Sequence, residues 1–119
     1  MYFVKLNNEL IGTTKLEYAD VSMGMVYGEI NFINIISPYS FFKSFCQKFD
    51  IELAIDYPDD KVLTTRIIPQ LKIYNSRQKV IQGQGYIIGM DNSTFQIEFR
   101  VLDSDLMQKE FYHHFKQRK

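Results

Sequence analysis

The clearest alternation of apolar and polar positions lies in the last third of the chain. Phe95, Ile97, Phe99 and Val101 interleave with Gln96, Glu98 and Arg100, which predicts a strand over 94–102 with one buried side and one wet side. Asp91-Asn92-Ser93 has the length and chemistry of a hairpin connection, so Val80 to Met90 should be the strand before it. At the N-terminus Tyr2, Phe3 and Val4 are strand formers, and Asn7-Asn8-Glu9 interrupts them with turn chemistry. Leu10 to Tyr18 then reads as the second arm of a hairpin. Met25 to Ile33 again has period two: Val26, Gly28, Ile30 and Phe32 should face inward, and Met25, Tyr27, Glu29, Asn31 and Ile33 outward. Gly28 within this strand marks either a bulge or a close backbone approach.

The period changes at Ser37-Pro38, where Ser can cap free backbone N–H groups and Pro is favoured at the first helical position. Phe41, Phe42, Phe45 and Phe49, with Cys46 beside them, recur at three- and four-residue steps and predict a helix over 38–48. Beyond it, Ile51 to Ile55 could form a short strand, and Tyr57-Pro58-Asp59-Asp60 is a turn signature. Lys61 to Tyr74 is extended in composition, but Pro69 cannot donate to a ladder and places a sheet edge or a break there. Asp105 with Gln108 resembles a capping box, and Met107, Phe111 and Phe115 define the apolar stripe of a C-terminal helix. Lys116 to Lys119 would favour the dipole at its end. The pattern predicts a single α+β domain over 1–119: a mainly antiparallel sheet of five to seven strands, one helix after the third strand and one at the C-terminus.

Composition agrees with an ordinary folded domain, with 45% hydrophobic and 24% charged residues in 119. Ten Phe and eight Tyr without Trp suggest an interior built from a few large rings, with some Tyr left over for a surface. One cysteine excludes an internal disulfide and points to a reducing compartment. The N-terminal apolar stretch is too short for a signal peptide or a membrane span, so a cytoplasmic protein without membrane association is expected. Zero net charge hides an asymmetry. Residues 1–60 hold four Lys against nine acids, and the remainder ten Lys or Arg against five acids. A two-signed surface of this kind argues against direct nucleic-acid binding, which needs a dominant basic face.

Candidate chemistry is sparse. His113 and His114 are adjacent and would lie about 100° apart on a helix, so they cannot chelate a metal as residues four apart can. Cys46, set among Phe residues, reads as a buried structural thiol. A Cys/His pair would need one of those histidines to fold back onto it. Gly83-Gln84-Gly85 and Gly89 lie within a strand rather than between a strand and a helix, so they read as bulges that curve the sheet and not as a nucleotide loop. The acids Asp50, Glu52, Asp56, Asp59 and Asp60 lack the spacing of a calcium loop. No cofactor or metal is expected, and no catalytic residue is assigned. Solvated loop charge accounts for those acids, or else an electronegative patch aimed at a basic partner.

From Ile11 to Tyr39 the chain places Gly12, Leu16-Glu17, Asp20, Met23-Gly24, Gly28 and Pro38-Tyr39 in an order that resembles a family of small bacterial proteins with a G-x-x-x-L-E-x-x-D-x-x-M-G-x-x-x-G motif. Similar small proteins serve as immunity partners of contact-dependent inhibition and other polymorphic toxins. The resemblance implies a protein that binds and neutralises a cognate toxin C-terminal domain, such as a nuclease, by blocking its active site or substrate surface. The motif can also be read as architecture alone, with Glu17 and Asp20 flanking a turn and Gly24 returning the chain to the sheet. As a binding surface, Glu17, Tyr18, Asp20, Tyr27 and Glu29, with the loop acids Asp56, Asp59 and Asp60, would grip a basic protein. The alternative from another class is a small-ligand or dimeric β-rich binding domain, with an aromatic pocket between the sheet and the helix over 38–48.

Overall fold

The structure, a computed structural model, describes residues 1–112, so His113, His114, Phe115 and the terminal cations lie outside the described residues. It is α+β, and all strand pairs are antiparallel. The described residues form ten strands rather than five to seven: β1 Tyr2–Leu6, β2 Glu9–Thr14, β3 Tyr18–Asp20, β4 Met25–Phe32, β5 Leu53–Tyr57, β6 Val62–Thr65, β7 Leu71–Tyr74, β8 Val80–Ile81, β9 Gly83–Met90 and β10 Phe95–Val101. Helix α1, Pro38–Lys48, follows the fourth strand and not the third, and α2 is Ser104–Glu110. The strand order is β5-β6-β9-β10-β4-β2-β1-β7-β8, with β3 also paired to β4.

The extra strands come from breaks inside segments that compose as single runs. The expected arm over 10–18 splits because β2 and β3 take the same edge of β4 in succession. Thr14 is opposite Ile30 and Tyr18 opposite Tyr27, so Lys15, Leu16 and Glu17 face only Gly28 and Glu29. The extra residue is a bulge, and Leu16 within it has φ 48°. A left-handed leucine costs roughly 1–2 kcal/mol. The bulge turns its side chain into the core, where it is only 1% exposed, and full burial of a leucine returns about 1.5–3 kcal/mol. Its N–H donates to Thr14 Oγ1 at 3.2 Å. Gly28 makes room for the crossing, since a Cβ there would sit 2.9 Å from the Leu16 backbone.

Other boundaries moved for local reasons. The short strand begins at Leu53 and runs to Tyr57, because Ile51 is used to leave the helix, its N–H donating to Cys46 O at 2.8 Å. Val80 to Met90 is interrupted at Gln82, whose carbonyl accepts from Leu102 N at 3.2 Å. The glycines of β9 are not bulges, because its register with β10 is continuous from Gly83 to Gly89. They clear space for two rings: a Cβ on Gly85 would fall 2.7 Å from Phe99 Cδ1, and one on Gly89 would fall 2.6 Å from Phe95 Cγ. The cap of α2 is Asp103, which accepts from Asp105 N and Leu106 N, and not Asp105.

The sheet rolls around one interior, into which Val4, Val26, Leu63, Ile73, Ile87 and Ile97 are wholly buried. At one end α1 adds Phe42, whose ring meets Phe32 at 5.9 Å, and Phe32 meets Phe95 at 6.0 Å. Three aromatic rings thus meet where the sheet faces α1. At the other end α2 adds Phe111, stacked on Tyr2 at 5.5 Å, and Glu110 accepts from Tyr2 Oη at 2.9 Å and Asn75 Nδ2 at 3.1 Å. Asp91 in the β9–β10 turn fixes the start of α1, accepting from Tyr39 N at 2.8 Å and Ser37 Oγ at 2.5 Å.

Replacing Gly28 with Ala should destabilise the protein by about 1–3 kcal/mol, because the Glu17 carboxylate can swing aside but the Leu16 backbone at 2.9 Å must also yield. Leu16→Ala should cost about 2–5 kcal/mol. Urea unfolding measures both, and a near-neutral Gly28→Ala would mean that the crossing is not tight.

Candidate functional site

Inward positions of the strands form the core, so the outward ones make the surface. On the sheet's outer face the registers line up one row across four strands: Tyr18 opposite Tyr27, Tyr27 opposite Glu98, and Glu98 opposite Tyr86. The Tyr18 and Tyr27 rings stack with centroids 5.4 Å apart, and Tyr86 Oη donates to Glu98 Oε1 at 2.8 Å. Tyr18 is 53% exposed. On one side of this row run Asp20, Met25, Arg100 and Gln84, and on the other Glu29, Gln96, Ile88 and Thr64. The result is a ridge of phenol rings with charges of both signs at its flanks.

The residues singled out from the sequence divide into three groups. Tyr18, Asp20, Tyr27 and Glu29 come together on this face. Asp20 also shapes the following turn, accepting from Ser22 Oγ at 2.7 Å and Met23 N at 3.3 Å. Gly24 closes that turn at φ 66°, and its carbonyl accepts from Val101 N at 2.9 Å. Glu17 is turned away, because its carboxylate lies 2.5 Å from where a Cβ of Gly28 would be, on the side of β4 opposite Tyr27. The N-terminal motif is thus largely the bulge, the turn and two close approaches along β4, at Gly28 and at Gly12, where a Cβ would sit 2.7 Å from Asn31 O.

The third group is the loop acids. Asp59 and Asp60 are exposed in the β5–β6 turn. Asp56 is a tether between β5 and α1. It accepts a short hydrogen bond from Tyr39 Oη and pairs with Lys43 Nζ at 3.1 Å, while Lys43 also donates to Tyr39 Oη at 3.0 Å. The Tyr39 hydroxyl first, and then Lys43, hold the Asp56 carboxyl below its usual range. Sequence reasoning missed this because Tyr39 sits at the first turn of α1, outside the phenylalanine stripe.

It also missed Tyr86 and Glu98 as part of the site. Burial first, and then the Glu98 carboxylate, push the Tyr86 phenol up to about 12. The alternation of Gln84, Tyr86 and Ile88 with glycines was a signal that this edge of β9 points outward. Cys46 is buried in α1, and burial pushes its thiol up to about 11, as expected for a structural thiol. Among the described residues no group of three or more His, Cys, Asp or Glu is arranged to hold a metal ion, and no helix is long and apolar enough to cross a membrane.

The sequence matches no protein-family model, and no curated protein and no solved structure matches the chain.

Two titrations test these contacts. Because the Asp56 pKa is lowered by folding, its tether stabilises the protein above the ordinary carboxylate range and fades as the pH falls through the lowered value. The stability difference between native protein and Asp56→Asn should therefore shrink below about pH 4. For Tyr86 the pKa is raised, so its contribution is complete below the ordinary phenol range and is lost as the pH rises through about 12. Glu98→Gln should bring the phenolate absorbance of Tyr86, assigned with Tyr86→Phe, part of the way back toward 10.

Proposed function

We propose that the chain is a binding protein that uses the ridge of Tyr18, Tyr27 and Tyr86 to hold another protein, and that it acts as an immunity protein neutralising a cognate bacterial toxin domain. The observation that carries the binding role is the ridge itself. Three tyrosines stand across four adjacent strands on a rigid sheet, and two of them are stacked on each other in contact with solvent. Such rings lose little conformational freedom on binding and supply large contact area, which is why Tyr is enriched among the residues that dominate protein interfaces. Asp20 and Glu29 beside the stacked pair suit a partner with basic groups, where they would steer encounter and fix orientation.

The immunity role is supported by the resemblance of the Gly12 to Gly28 motif and by the fit of such a surface to blocking an enzyme's substrate face. In this reading the chain performs no reaction. It occupies the toxin's active site or substrate surface, and specificity resides in the ridge and its flanking charges. The motif residues contribute by holding Tyr18 opposite Tyr27.

Affinity purification of the tagged protein from its native host, followed by mass spectrometry and a growth-rescue assay, tests the role. The expected result is the C-terminal domain of a large secreted protein whose toxicity the chain relieves. Tyr27→Ala and Tyr18→Ala should each weaken that complex by about 10-fold or more. Joint replacement of Asp59 and Asp60 by Ser should slow association and reduce its salt dependence while leaving dissociation unchanged. Recovery of no partner while the toxin is demonstrably expressed would overturn the immunity role, and full affinity in both tyrosine variants would remove the ridge from the interface.

A further inference from the structure

Beside the tyrosine ridge the outer face is hollowed. Leaving β6, the chain is pinned twice, by Arg66 N donating to Glu52 O at 3.1 Å and by Ile68 N donating to Gly85 O at 2.9 Å. Ile68 is buried at the second anchor, and Ile67 between the two is left standing at the surface, 48% exposed. On one side of Ile67 is a groove of about 540 Å³ lined by Ala54, Thr64, Thr65, Arg66 and Tyr86, and on the other a groove of about 290 Å³ lined by Met25, Gln84, Tyr86 and Arg100. Ile67 and Tyr86 line both grooves, so the two form one trough with an arginine in each half. Its size is that of sites for small organic molecules.

The chemistry of the lining selects the occupant. The Arg66 and Arg100 side chains are exposed, and among the described residues neither guanidinium has a carboxylate or hydrogen-bond partner. Among the described residues the only carboxylate paired in register with Tyr86 is Glu98, which accepts the Tyr86 hydroxyl. That bond uses the polar end of Tyr86 and leaves its ring and the Ile67 side chain as the apolar surface of the trough. A cation would meet two unneutralised guanidinium groups. A neutral apolar molecule would gain nothing from them. An anion on a flat apolar body satisfies both parts, because guanidinium pairs with carboxylate, sulfonate or phosphate oxygens in a planar fork and stacks on flat groups.

We propose that the trough between Arg66 and Arg100 binds a flat organic anion, with its body against Tyr86 and Ile67 and its acidic group on one or both arginines. The site shares Tyr86 with the ridge but lies apart from the stacked Tyr18–Tyr27 pair, and it does not rest on the toxin-neutralising role.

The test is a fluorescence titration of the whole protein with anilinonaphthalene sulfonate, run beside uncharged phenylnaphthylamine. The expected result is saturable binding of the sulfonate to one site, with amide shifts in a nitrogen–proton NMR spectrum confined to Ala54, Thr64, Ile67, Tyr86 and their neighbours. The double variant Arg66→Gln, Arg100→Gln should weaken the sulfonate by about 10-fold or more, as expected for lost charge-assisted bonds, and leave the uncharged probe unchanged. Both arginines are exposed, so the fold should survive, and an unchanged NMR spectrum of the free variant checks this. Ile67→Asp should abolish sulfonate binding, and Tyr18→Ala should not affect it. Three results would each overturn the proposal: no saturable binding, equal binding by the double variant, or shifts centred away from the trough.

Discussion

The architecture depends on one crossing, where Lys15-Leu16-Glu17 passes over Gly28 with one residue more than β4 can pair. The extra residue cannot remain in the ladder, and burying the Leu16 side chain offsets the cost of its left-handed backbone. Several consequences follow from that exchange. It ends β2 and restarts the chain as β3 on the same edge of β4. It lets β4 belong to both halves of the rolled sheet, pairing β10 through its first part and β2 through its last. It also sets the register that puts Tyr18 opposite Tyr27. The tyrosine ridge is therefore coupled to the core by a few residues, and a change at Gly28 would reach the ridge without touching it.

The two helices complete the interior from opposite ends of β10, and each is tied by a carboxylate. Asp91 caps α1 from the hairpin turn that leads into β10, while Glu110 at the end of α2 joins Tyr2 and Asn75. Asp56 serves the same kind of purpose between β5 and α1. Acids that look alike in sequence thus have different tasks. Asp91, Glu110 and Asp56 hold elements together, whereas Asp59 and Asp60 face solvent and Glu29 borders the tyrosine ridge. With inward positions filled by aliphatic and phenylalanine side chains, the tyrosines of β3, β4 and β9 remain on the outward parity, where a hydroxyl can stay wet or meet a carboxylate.

Much of the fold could be read from the order of residue types. Phe95, Ile97, Phe99 and Val101 are buried as their alternation requires, and Val26, Gly28 and Ile30 face inward. Helix α1 begins at Ser37-Pro38 and ends at Lys48 because capping and proline chemistry act within one turn. The hairpin of β1 and β2 turns at Asn7 and Asn8, both with positive φ, a conformation that asparagine tolerates better than most residues. Each of these features is local, settled by interactions between residues a few positions apart.

The number of strands and the make-up of the tyrosine ridge were decided elsewhere. Composition could not show that the run over 10–18 must break, because the break is forced by the length of β4, a separate segment. The sequence put Tyr18 and Tyr27 among its candidates but not Tyr86, Glu98, Arg66 or Arg100, since these are joined by strand pairings and by the anchoring of Ile68 on Gly85 across the sheet. It grouped Glu17, which is exposed, with the acids beside Tyr27, although its carboxylate lies by Gly28, on the other side of β4. Period and turn chemistry fix which side of a strand is wet, because they act through neighbouring residues. Which wet residues stand side by side depends on register and on the order of strands, and those are set only when distant parts of the chain close around a common core.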